Sequence, residues 1–233
     1  MVLAVVGIAT PTRSKAEVEA LLTATSDYDY RGLTQTDLRP ALQVDFIYTS
    51  KHVHADVFVS NVNFGEGSGH GFYGPRHTEV AYTAGYQGGN QDRLQWDLGI
   101  SYFTYPRWKP RVDYPEAYFT VTRKGLSSSL HYTWTYDNLN VQKSAYYIEA
   151  NLAHPLPVKE FNILLHMGQS SGPYWSLANG KHYEDYSIGL ERKTKKLDIT
   201  IRDVGTADYN DPLPGQGFGG RNRVVLAVSY TFN

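Results

Sequence analysis

Alternation of apolar and polar side chains limits what this chain can become more than any other feature. Between Ala41 and Thr49 one parity reads Leu42, Val44, Phe46, Tyr48, while the other holds Gln43, Asp45 and Thr49. The period of two returns between Glu79 and Gln87 (Val80, Tyr82, Ala84, Tyr86) and between Leu94 and Tyr102 (Leu94, Trp96, Leu98, Ile100, Tyr102). It returns again between Leu126 and Tyr136, between Phe161 and Met167, and in the last stretch from Val224 to Phe232. Weaker cases lie near residues 20–30, 54–62, 115–123, 144–153, 183–191 and 197–203, about twelve segments in all. That period belongs to β-strands with two unlike faces. Helical spacing could begin only at Glu17 to Leu22, which runs straight into the first strand. With no repeat, linker or low-complexity tract, the expectation is one all-β domain over residues 20–233.

Composition narrows the class. Of 233 residues, 19% are charged, below the ~25% of an ordinary soluble domain, and there are 19 Tyr, 21 Gly and no Cys. The absence of Cys removes a disulfide framework and a thiolate zinc site. A net charge of −1 lacks the basic excess of a general nucleic-acid binder, so no nucleic-acid partner is expected. Mean hydropathy is −0.43. The longest apolar run, Val2 to Ala9, is far short of the ~20 residues of a spanning helix. That run does resemble the apolar part of a secretory signal peptide, with Ser14 and Ala16 as small residues before a cut. No basic residue precedes it. Residues 1–19 are therefore read as a truncated signal peptide or N-terminal tail.

Connection lengths separate water from lipid. Those near 50–53, 88–92, 123–125, 154–158 and 192–196 are short, and those near 31–40, 63–77, 106–114, 137–143, 170–181 and 204–220 are longer. Short turns at one end and long loops at the other describe an up-and-down antiparallel outer-membrane β-barrel, here of about 12 strands, with periplasmic turns and external loops. One parity is almost free of charge, as a lipid face demands, because Lys or Arg there at mid-depth costs roughly 2–4 kcal/mol. Assigning strand directions sorts the aromatics into two belts. Tyr28, Tyr30, Tyr102, Trp134 and Tyr136 fall at the outer end, and Tyr48, Tyr86, Tyr230 and Phe232 at the inner end. The penultimate Phe232 looks like the ending of an outer-membrane barrel, although Asn233 departs from a terminal aromatic. A β-sandwich or lipocalin-like barrel is the alternative, but twelve clean faces exceed what 233 residues can enclose.

Several strings carry a resemblance. They are Ser26-Asp27-Tyr28-Asp29-Tyr30-Arg31-Gly32-Leu33-Thr34-Gln35, Pro40-Ala41-Leu42-Gln43, Ser60-Asn61-Val62-Asn63-Phe64, Gly85-Tyr86, Tyr105-Pro106, Tyr147-Ile148-Glu149 with Pro155-Leu156-Pro157, and Tyr183 to Gly189. Together they resemble the TorF family of proteobacterial porin-like proteins, from about residue 22 to the C-terminus. The resemblance implies an outer-membrane β-barrel with a porin role, and it carries over no catalytic residues. Asn63 departs from the more usual Asp, and the loops at 65–71 and 204–220 look idiosyncratic.

If the clean parity meets lipid, the other lines a lumen. It carries Asp27, Asp29, Arg31, Asp45, Glu79, Asp97, Glu116, Glu149, Asp185, Glu191, Asp198, Arg202 and Arg223, with Tyr118 and Tyr147 pointing inward. Excess carboxylate in a wet channel would favour cations; paired off, the same groups would plug a narrow barrel. Twelve strands lie between the filled eight-stranded barrel and the open sixteen-stranded one. Arg31, read as the inward end of the first strand, is either a constriction group or a salt-bridge partner of Asp45 or Asp29.

Other motifs carry little. Gly215 to Gly220 fits G-x-G-x-x-G without the following helix, and Gly168 to Gly172 fits G-x-S-x-G without an α/β sheet. Gly65 to Gly71 lacks the Lys of a phosphate loop. His52 and His54 lack a third ligand, so no metal and no cofactor are expected. His131 and His166 share the inward parity with Ser127 and Ser129. The short turns are basic through Lys51, Arg93, Arg123, Lys124, Lys159, Arg192, Lys193, Lys195 and Lys196. They suit a solvated rim, acidic periplasmic partners or lipid phosphates. The expected role is a narrow porin for small hydrophilic solutes or ions in the outer membrane of a Gram-negative bacterium. Its partners would be lipid and, during insertion, the barrel-assembly machinery. A non-conducting structural or adhesion barrel and a barrel-embedded hydrolase are the alternatives.

Overall fold

A computed structural model of the chain describes residues 16–63, 77–90, 93–106, 111–123, 128–178, 182–209, 220 and 222–232. Strand β1 spans Glu17–Thr25, followed by the short pieces β2 (Asp29–Tyr30) and β3 (Leu33–Thr34). Then come β4 (Ala41–Thr49), β5 (Val53–Val62), β6 (His77–Asn90), β7 (Leu94–Thr104), β8 (Tyr114–Arg123) and β9 (Ser128–Thr135). The chain finishes with β10 (Ala145–Pro155), β11 (Phe161–Ser171), β12 (His182–Lys193), β13 (Leu197–Ala207) and β14 (Arg223–Phe232). β1 and β4 to β14 form a closed antiparallel barrel of twelve strands. Closure comes from β1 pairing β14, with Ala20 opposite Phe232 and Thr25 opposite Ala227. Sequential neighbours pair everywhere else, apart from β2 and β3, which leave the wall between β1 and β4.

The alternation explains why the sheet closes this way round. Leu42, Phe46, Leu98, Ile100, Leu130, Ile188, Ile201 and Leu226 stand exposed on the outside. Buried polar groups, among them Gln43, Glu79, Glu116, Thr133, Glu149 and Asp185, fill the inside. An exterior this apolar has no stable place in water. A closed barrel satisfies every ladder group, which is what lipid requires. Short turns gather at one end, the turn end; the connections after β1, β5, β7, β9, β11 and β13 gather at the other, the loop end.

Two boundaries differ from expectation. β1 begins at Glu17, so residues 17–19 belong to the barrel rather than to a tail, and the stretch that could have begun a helix is strand. Residues 1–15 of the expected leader lie outside the described residues. β1 also stops at Thr25 instead of running to residue 30. Ser26 still bonds its neighbour, donating its N–H to the Leu226 carbonyl, but the chain then leaves the wall.

Candidate functional site: a hairpin inside the loop end of the lumen

The segment after β1 turns inward. Asp29 pairs with Thr34 and Tyr30 with Leu33, leaving Arg31 and Gly32 as a two-residue turn. Both have positive φ, 54° and 77°. That is the geometry of a type I′ hairpin, which a glycine in the second place permits. Gly32 is also fixed by space, since a Cβ there would lie 2.5 Å from the Asp185 Cβ and 2.6 Å from the Thr206 Cγ2.

One side of the hairpin is apolar. Tyr28 is buried with Ala41, Phe58, Val62, Ala81, Phe103, Tyr105, Val112 and Tyr114, and Tyr30 packs against this cluster. The Tyr28 hydroxyl donates to Glu79 Oε1 at 2.7 Å, and the Tyr105 hydroxyl donates to Glu79 Oε2 at 2.8 Å. Burial, and then the Glu79 charge, push both phenols far above their ordinary pKa, so they stay donors. The two expected belt members Tyr28 and Tyr30 are thus inside the barrel. The chain's departure from the wall after Thr25 carries them inward.

The other side is ionic. Arg223 on β14 donates to Asp27 Oδ2, to Asp29 Oδ1 at 2.6 Å and to the Gly32 carbonyl at 2.9 Å. Arg202 on β13 lies 3.7 Å from the second Asp29 oxygen. Asp27 also accepts from the Thr34 and Thr36 hydroxyls. At the tip, Arg31 Nη2 donates to Glu116 Oε1 at 2.6 Å and Thr133 Oγ1 at 3.0 Å, with its guanidinium 4.3 Å from the Tyr147 ring centre. Burial alone would lower the Arg31 pKa; the Glu116 carboxylate outweighs it and the net shift is upward. The salt bridge expected to Asp45 or Asp29 goes to Glu116 instead, because Arg31 is the tip of a hairpin crossing the lumen and not the end of a wall strand.

Burial along the inward parity changes with depth. On β4, Ala41 and Gln43 are buried while Asp45 and Ile47 are half-exposed; on β8, Tyr114 and Glu116 are buried while Tyr118 and Thr120 are half-exposed. On β10, Ala145, Tyr147 and Glu149 are buried before Asn151 opens; on β12, Tyr183, Asp185 and Ser187 are buried before Gly189 and Glu191 open. The loop end is packed, and the turn end is a polar vestibule.

Two histidine clusters stand below the hairpin. His54 Nε2 lies 3.0 Å from Asp97 and 3.2 Å from the Tyr118 hydroxyl. His166 Nε2 lies 2.6 Å from Asp185, while its Nδ1 is 2.7 Å from Asn151 and 3.7 Å from Glu149. The Tyr147 hydroxyl donates to Asp185 as well. His131 contacts the Thr120 hydroxyl, and Glu191 accepts from Asn162. Asp45 and Asp56 face the vestibule from adjacent strands.

On the outside, Tyr102, Trp134 and Tyr136 are exposed at the loop end, and Tyr48, Tyr86, Tyr230 and Phe232 at the turn end. Ser170 of the G-x-S-x-G string is buried in β11, with Gly172 beginning the next connection. The runs 65–71 and 215–219 lie outside the described residues, as does Ser127.

Residues 9–232 match Gcw_chp, described as a bacterial protein of unknown function. The chain belongs to the Gcw_chp family. The TorF likeness stands as a resemblance of short strings. Among curated proteins, none matches. The Gcw_chp barrel is similar in structure to the Pseudomonas putida toluene transporter TodX. That likeness has a TM-score of 0.53 and 8% identity, over 98% of this chain and 93% of that one. LpxR from Salmonella typhimurium gives a TM-score of 0.49 and 9% identity, over 93% and 99% of the two chains. The outer membrane channel DcaP of Acinetobacter baumannii gives 0.45 and 9%, over 93% and 97%. At such identities only the barrel fold is shared.

Sequence reasoning placed the Gcw_chp carboxylates on the inward face, yet it missed that Tyr28, Tyr30 and Arg31 form one inserted hairpin. The Arg31-Gly32 pair between Tyr30 and Leu33 was the available signal. It also missed His182, Glu184 and Asp208, whose ligand atoms all lie within 4.8 Å of one another.

Proposed function

We propose that this protein is a porin-type conduit of the Gram-negative outer membrane. In this reading it passes small hydrophilic solutes or ions passively, and the residue 27–36 hairpin is its constriction. The observation that carries this is the change of burial with depth: a polar vestibule at the turn end meets a packed hairpin at the loop end. Asp45, Asp56, Asp97, Glu191 and Asp198 line the vestibule against His54, His131 and Lys193, a balance that favours cations. The pore-lining set is Arg31, Asp45, Glu79, Asp97, Glu116, Tyr118, Glu149, Asp185, Arg202 and Arg223. Within it, Arg31, Glu116 and Arg223 act at the constriction. Long loops would face outward, and insertion would use the barrel-assembly machinery. The residues before β1 would include the export signal.

The packed loop end favours one other reading, a non-conducting barrel whose loops bind an external partner. Planar-bilayer recordings in two salts separate them. Replacing residues 28–35 with a flexible linker, and separately substituting Arg31→Ala, should raise single-channel conductance above the wild type, with cation preference retained. If wild type and both variants show no conductance steps while remaining folded, the conduit reading fails and the second stands.

A further inference from the structure

We propose that His182, Glu184 and Asp208 form a binding site for a divalent transition-metal ion on the outer face of the barrel at its loop end. His182 and Glu184 are two apart on β12 and so share a face; Tyr183 between them points inward and is buried. β12 and β13 pair with Glu184 opposite Ala207, which brings the next residue, Asp208, beside both. The three ligand atoms all lie within 4.8 Å of one another, and His182 Nε2 is 3.2 Å from Glu184 Oε1. One ion at their centre could reach all three with modest side-chain rotation.

The donor set selects the metal class. An imidazole with two carboxylates suits Zn²⁺, Ni²⁺ or Co²⁺; Mg²⁺ and Ca²⁺ prefer all-oxygen shells. Three protein ligands leave at least one position open to water or an anion. The site would also have a structural effect. It would join the first residue of β12 to the residue that follows β13, and so tie together the feet of the connections 172–181 and 208–222. On the inner side of the same stretch, Tyr183 packs edge-on against Trp175 at 4.7 Å and against Tyr209 at 5.3 Å. The ion would hold from outside the chain ends that this aromatic stack holds from inside. The site does not depend on whether the barrel conducts.

The test is calorimetric titration of the untagged, detergent-purified barrel with ZnCl₂. Saturable one-to-one binding is expected, undiminished by excess MgCl₂. His182→Ala, Glu184→Gln and Asp208→Asn should each weaken binding by at least about tenfold. His154→Ala, an exposed histidine at the turn end, should leave it unchanged. Co²⁺ should give a visible absorption band in the wild type that His182→Ala removes. Heat-dependent gel mobility reports that each variant is folded. Absence of saturable Zn²⁺ binding by the wild type, or equal binding by the folded His182→Ala variant, overturns the proposal.

Discussion

Arg223 grips the inserted hairpin from the wall at three points. Its guanidinium serves Asp27, Asp29 and the Gly32 carbonyl together, a fork that lysine cannot reproduce. Removing one partner of a buried ion pair leaves the other charge uncompensated, at a cost of about 3–5 kcal/mol. Arg223→Ala should therefore lower unfolding free energy by that order in urea titrations, with Arg223→Lys recovering only part of it. Gly32→Ala meets a different obstacle, a positive φ and a crowded wall, and should cost at least ~1 kcal/mol in the same assay. Single residues show where the sequence stops being legible. That Arg31 faces inward followed from parity, but its partner did not. Glu116 lies 85 positions away, and only a chain that leaves the wall after Thr25 can bring the two together.

At the scale of elements, the strands were legible because lipid enforces them. The outward parity must stay apolar over each strand, so the pattern persists even where turn signals are weak. A paired substitution on β13 tests this directly. Ile201 faces out and Thr200 faces in. Ile201→Arg should cost roughly 2–4 kcal/mol at mid-depth, whereas Thr200→Arg should cost clearly less; unfolding from liposomes measures both. The hairpin escaped because Tyr28 and Tyr30 continue the alternation of β1, so period alone reads them as more wall. Its backbone carries the difference: two successive positive φ values at Arg31 and Gly32 end one strand and start its return. The three-residue cluster of β12 and the residue after β13 escaped for another reason. His182 and Asp208 are distant in sequence, and a strand register is needed before their adjacency exists.

Across the whole molecule, charge is divided by place. Carboxylates collect in the lumen, while the turn end is basic. Arg192 and Lys193 there have acidic partners, but Lys51, Arg93, Arg123, Lys159, Lys195 and Lys196 make no ion pair among the described residues. Each such cation near an anionic lipid surface contributes about 1 kcal/mol of attraction. Insertion into vesicles containing phosphatidylglycerol should be faster than into neutral ones, and salt at a concentration that shortens the screening length to a few ångströms should erase the difference. Fluorescence-followed insertion kinetics would measure it. The clamp on the hairpin has a temporal meaning as well. The hairpin directly follows the barrel's first strand, whereas Arg202 and Arg223 belong to its last two. Until β14 meets β1, Asp27 and Asp29 have neither guanidinium in place, while the contacts to Glu79 and Glu116 need only the earlier strands. The ionic half of the plug is consequently a latch on assembly, shut only in a chain that has joined the two ends of its barrel.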